Sequence, residues 1–103
     1  MASAAARSLR LVCLVALVTS GCVARKFVPS EATLLKKGKP TFNRTIALYQ
    51  VPGAFVVVET RQLIDPGNSI CRALVRGEAE QYFKELVAGG PGGMDCPGEW
   101  EWR

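Results

Sequence analysis

Residues Ala54 to Thr60, AFVVVET, put five apolar residues in a row, three of them valine. β-Branched and aromatic types in so short a run spell a strand. A strand this apolar needs both faces covered, so it is central in a sheet or sandwiched against a helix. The stretch before it, Thr45 to Val51 (TIALYQV), alternates loosely. Ile46, Leu48 and Gln50 fall on one side, and Ala47, Tyr49 and Val51 on the other. Pro52-Gly53 separates the two. An L-Pro-Gly pair favours a type II turn, whose twist suits hairpins less well than the primed types. The expectation is a β-hairpin closed through a wider loop or a bulge.

Downstream, Ile64 to Ser69 (IDPGNS) reads as a loop. Beyond it Cys71, Leu74, Val75, Ala79, Tyr82, Phe83, Leu86 and Val87 recur at three- and four-residue spacing, with Arg72, Arg76, Glu80 and Lys84 four apart on another face. This is the pattern of an amphipathic helix, capped by Asn68 or Ser69 and ended by Gly89-Gly90-Pro91. Gly77 is its weak point. A continuous helix from Cys71 to Ala88, about 25 Å long, is the first reading. The second breaks near Gly77, leaving Ser69 to Val75 extended or as a separate short helix and Glu78 to Val87 as the main helix.

Upstream, residues 23–40 read as a tether with one helical turn at most. Ser30 would cap Glu31 to Leu35, and Lys36-Lys37-Gly38-Lys39-Pro40 would end any helix. Charge is uneven although the net value is only +4. Arg25, Lys26, Lys36, Lys37, Lys39 and Arg44 face a single acid, Glu31, whereas Glu78, Glu80, Glu85, Asp95, Glu99 and Glu101 crowd the other end. Beside a membrane anchor the basic segment would sit favourably over anionic headgroups. It reads equally as a solvated linker.

The chain opens with Arg7 and Arg10, an apolar run from Leu11 to Val18 (LVCLVALV), and Thr19-Ser20-Gly21-Cys22. Basic start, short apolar stretch and small-residue exit are the layout of a secretory signal. The apolar run falls short of the roughly 20 residues that cross a bilayer as a helix. Thr19-Ser20-Gly21-Cys22 resembles a bacterial lipobox, with Thr19 where that class prefers leucine. The resemblance covers the first two dozen residues alone. It implies that Cys22 carries a lipid, that the chain is cut before it, and that Val23 sorts the product to the outer membrane where a host has two. Ordinary secretion, with cleavage after Ser20 or Ala24, is the alternative.

About 82 residues would remain, one small domain for which a crosslink helps. In an exported chain Cys71 and Cys96 are most simply a disulfide. With no histidine anywhere, no metal site, cofactor site or Ser-His or Cys-His catalytic arrangement is expected. Glu78, Glu80 and Glu85 read as partners of Arg76 and Lys84 on the helix surface. Nucleic acid is a poor candidate partner, because no aromatics interleave with the lysines. Asn43-Arg44-Thr45 matches a glycosylation sequon, which would be used only in a eukaryotic host.

In CPGEWEWR, Trp100 and Trp102 fall on one side of an extended strand and Glu99 and Glu101 on the other. The tryptophans are either a partner-binding surface or the completion of a small core. The sequence thus reads as a signal over 1–21, a lipidated terminus and basic tether over 22–41, and a small α+β domain over 42–103. That domain is expected to hold a hairpin packed on one helix, tied by the disulfide, with room for a third strand from the tail. The expected role is non-enzymatic. It is that of an accessory or structural component of the bacterial envelope, held to the bilayer through Cys22 and binding an envelope protein, or that of a freely secreted binder or inhibitor without lipid.

Overall fold

The computed structural model describes residues 26–103. The expected signal and Cys22 lie outside the described residues. Five strands, β1 (Thr33–Thr41), β2 (Arg44–Val51), β3 (Ala54–Arg61), β4 (Gly67–Ala73) and β5 (Glu99–Trp102), form one antiparallel sheet in the order β1-β2-β3-β4-β5. One helix, α1 (Arg76–Val87), covers one face. The domain is therefore mostly β, with more strands than the expected hairpin and third strand.

The valine run is the middle strand. Register between β2 and β3 is unbroken from Arg44↔Arg61 to Val51↔Ala54, so Pro52-Gly53 alone makes the turn. The expected wider loop or bulge is absent from this hairpin. Gly53, at φ +77°, supplies the left-handed residue that a Pro-Gly turn requires, and the long ladder outweighs its poorer twist.

Alternation divides the side chains of these strands into two clusters. Ile46, Leu48, Val57, Cys71 and Ala73 point to the helix and pack with Ala79, Tyr82, Phe83 and Leu86. Ala47, Tyr49, Val51, Ala54, Val56, Val58 and Ile70 form the other face, against which Phe27 and Ala32 pack.

Two further expectations fail. The continuous helix from Cys71 is replaced by strand β4, and α1 begins at Arg76, with Val75 as an N-cap that makes no side-chain bond. Asn68 and Ser69 lie in β4 and are not the caps of α1. Pairing with β3 (Val58↔Ile70, Val57↔Cys71) satisfies the backbone and buries alternate residues, whereas the supposed helical positions Leu74 and Val75 stand 78% and 53% exposed. The second reading, with the break near Gly77, is the correct one. At the other end α1 stops as expected: Gly89 N–H reaches Leu86 O (3.0 Å) and Gly90 N–H reaches Glu85 O (2.8 Å), the bonds of a glycine-terminated helix.

The second failure is the helical turn at Glu31 to Leu35. Thr33–Thr41 is instead the nine-residue edge strand β1, so part of the expected tether belongs to the sheet. Lysine and proline, poor residues for a central strand, are tolerated at an edge. The Cys71–Cys96 disulfide forms as expected, with Cα atoms 5.8 Å apart. It fastens the loop before β5 to the sheet.

Candidate functional site

The residues that converge outside the two apolar clusters lie at one end of the helix-covered face. Glu59 is fully buried, and it points the same way as Phe55 and Val57 because it shares their parity on β3. Burying a carboxylate is costly unless it is paired and hydrogen-bonded. Arg44 on β2 donates from Nε (2.9 Å) and Nη2 (3.2 Å) to its two oxygens, and Arg61 donates from Nε to Oε2 (2.7 Å). Arg44 Nη2 also donates to Gly90 O at 2.7 Å. The same guanidinium thus ties the buried carboxylate to the glycine-rich loop that follows the helix.

That loop closes over the site at Gly92, whose φ is +72°. A Cβ there would lie 2.7 Å from Leu86 Cδ2 and 3.0 Å from the Tyr82 hydroxyl, so only glycine fits. Tyr82 Oη accepts from Gly93 N–H at 2.8 Å. Burial pushes the Tyr82 phenol above its ordinary range; Glu59 and Asp95 add to that, while its bonds with Gly93 and Ser69 pull the other way.

β5 brings in the tryptophans. Trp100 pairs with Cys71 and Trp102 with Ser69 across the ladder, both on the helix side. Trp100 Nε1 donates to Ser69 Oγ at 2.7 Å. The Trp102 ring lies where a Cβ on Gly67 would be, 2.6 Å from it, with the Arg61 guanidinium 5.4 Å from the ring centre. A cleft of about 440 Å³ opens between the rings and the loop, lined by Arg61, Ser69, Gly93, Met94, Trp100 and Trp102 among others. Met94 is wholly exposed, and the tryptophans are 47% and 42% exposed.

Trp100 and Trp102 therefore do form a final edge strand, but one whose rings wall a cleft and do not fill the core. Their main chain is open as well. Asn68 and Arg103 exchange both backbone bonds (2.7 and 2.8 Å). The antiparallel alternation then turns the N–H and C=O groups of Glu99 and Glu101 toward β4, and those of Trp100 and Trp102 outward.

The three helix glutamates do not converge. Glu80 pairs with Arg76 at 3.0 Å and Lys36 at 4.0 Å, and those cations hold its carboxyl below the ordinary range, the Arg76 bond most of all. Glu85 accepts from Gln81. Among the described residues, no three histidines, cysteines or carboxylates gather as a metal site would need. The sequon asparagine, Asn43, is buried, its Nδ2 donating to Ile64 O (2.8 Å) and its Oδ1 accepting from Leu63 and Ile64 N–H (2.6 and 2.9 Å). Its amide holds the β3–β4 loop.

Sequence reasoning missed Glu59, Arg44 and Arg61. One signal was available: Glu59 is the only acid in an apolar strand and has core parity, which requires a cation nearby. No protein-family model, no curated protein and no solved structure matches the chain.

Proposed function

We propose that this chain is an exported bacterial lipoprotein, acylated at Cys22, whose small domain serves the cell envelope by binding a protein partner at the Trp100–Trp102 edge. In a host with two membranes Val23 sends it to the outer one, with the domain facing the periplasm. The role is accessory or structural and not enzymatic.

The observation that carries the partner reading is the β5 edge. Two half-exposed tryptophans, outward backbone donors and acceptors, and a cleft beside them are the features by which an extended segment is taken up on a sheet edge. The Cys71–Cys96 bridge accords with an oxidising compartment. The layout of residues 1–22 supports the anchor.

Two measurements test the two halves. The intact mass of the native protein should show an acylated chain starting at Cys22 that gains two hydrogens on reduction. An unmodified chain starting at Gly21 or Arg25 would replace the lipoprotein by a freely secreted binder. For the edge, a photo-reactive residue in place of Met94 should crosslink a protein in intact cells, and Trp100→Ala with Trp102→Ala should abolish the adduct. An unchanged adduct would remove the tryptophans from the interface.

A further inference from the structure

The β5 edge is close to self-complementary. Along Glu99-Trp100-Glu101-Trp102-Arg103 the tryptophans lie on the helix side, across from Cys71 and Ser69. Glu99, Glu101 and Arg103 share the other side, across from Arg72, Ile70 and Asn68. Consider a second β5 running antiparallel to the first, with a two-fold axis at Glu101. Trp100 of each copy then exchanges both backbone bonds with Trp102 of the other. Glu101 faces Glu101 as a non-hydrogen-bonded pair, and Glu99 faces Arg103. Of the two-fold registers along this strand, that one alone sets both tryptophans against tryptophans. A shift of one pair toward Gly98 would oppose Glu99 to Glu101.

Charge fits the same register. Among the described residues, Glu99 has no cation within salt-bridge distance, and Arg103 of the second copy would supply one. Opposed carboxylates at Glu101 are unfavourable, but each already accepts from its own Arg103, Nε to Oε2 at 3.1 Å.

The amino-terminal segment meets this end of the sheet as well. Phe27 N–H donates to Asn68 Oδ1 at 3.1 Å, and the Arg103 guanidinium lies 5.1 Å from the Phe27 ring centre. Phe27 packs on the face away from the helix. The two-fold axis of an edge-to-edge antiparallel pair stands perpendicular to the sheet. Both helices therefore fall on one face and both Phe27 segments on the other. Cys22 is five residues from Phe27, a reach of at most about 18 Å. Two anchors on one face can share a bilayer, and confinement to one surface raises the effective concentration that so short a strand needs.

We propose that the partner taken up at β5 is a second copy of this chain, paired edge to edge into a continuous sheet through Trp100 and Trp102. The pairing rests on the reading of β5 as a recruiting edge, and it names the recruit. Such a contact is isologous, so it closes on two copies and does not propagate.

The test places a thiol on the axis, in the full chain and in intact cells. Glu101→Cys should give a disulfide-linked dimer, because non-hydrogen-bonded neighbours have Cα atoms about 4.5 Å apart, within bridging range. Glu99→Cys is the control. Its two copies lie about 14 Å apart across the axis and should yield at least roughly tenfold less dimer. Peptide mapping should find the new bridge at position 101 with Cys71–Cys96 intact, and Trp100→Ala added to Glu101→Cys should cut the dimer several-fold. No dimer from Glu101→Cys, or as much from Glu99→Cys, overturns the proposal. The photo-adduct at position 94 separates that failure from failure of the edge reading. A different protein in the adduct, without the dimer, leaves β5 a recruiting edge and removes the second copy; neither adduct nor dimer removes both.

Discussion

At one edge of the sheet β1 runs for nine residues with three lysines and a proline, its ladder interrupted by irregular register near Leu35 and Lys39. At the other, β5 runs for four residues, two of them tryptophan. Charge, proline and bulges keep a long edge from pairing with stray strands. β5 carries Glu99 and Glu101 but neither proline nor bulge, and its tryptophan backbone points outward. An edge that must remain single is defended along its length, while an edge that recruits a partner can be left open if it is short and fixed from behind. Glu59, Arg61, Ser69 and the disulfide do the fixing.

That contrast breaks first at Glu59. Glu59→Ala leaves Arg44 and Arg61 without their anion and frees Arg44's hold on the glycine-rich loop. The expected loss is on the order of 3 kcal/mol, a fall of roughly 15 °C in the thermal midpoint; a fall of only a few degrees would mean that the carboxylate is not the support of this end. Replacing Cys71 and Cys96 by alanine should cost about as much or slightly less, near 3 kcal/mol for a loop of this length. The informative readout is local: amide exchange at Glu99 and Glu101 should accelerate far more than at Lys37. Uniform acceleration would make the bridge a global brace and not a clamp on one edge.

Tyr82 gives a smaller and pH-dependent effect. Its phenol titrates above the ordinary value near 10, so the folded state holds that proton more tightly than the unfolded chain does. The resulting stabilisation is complete below pH ~10 and is lost as pH rises through the raised folded value. Denaturant midpoints should therefore fall on the alkaline side in the parent, and Tyr82→Phe should flatten that fall, at the expense of about 1 kcal/mol at neutral pH. The smallest effect belongs to the guarded edge. Lys36→Gln removes a 4.0 Å ion pair between partly exposed groups and should change stability by less than about 0.5 kcal/mol. A larger loss would show β1 to depend on the helix more than its own pairing suggests.

The middle of this fold was legible in sequence and its flanks were not. Valines at 56–58 make a strand in almost any context, and Gly89-Gly90-Pro91 cannot continue a helix. Cys71, Leu74 and Val75, by contrast, satisfy a helical spacing, and the choice between strand and helix at 69–75 was made by β3, a neighbour that local periodicity does not contain. Lys36 to Pro40 carry residues depleted in strands, and only their position at an edge makes them acceptable. The same division holds at the site. Trp100 and Trp102 announce themselves by type, but Glu59, Arg44 and Arg61 meet through register across β2 and β3, which is a property of pairing and not of any one stretch.

The strand order repeats the chain order. In a meander each strand pairs with the one made just before it, so β1 to β4 require no long loop closure. A chain emerging amino end first, from a ribosome or a translocation channel, can zip these four in sequence as they appear. β5 alone must wait, because the helix and the glycine-rich loop have to be laid down first and Cys96 has to find Cys71. The tryptophan edge is then the last surface to exist, and a nascent chain cannot engage its partner before the rest of the sheet is complete.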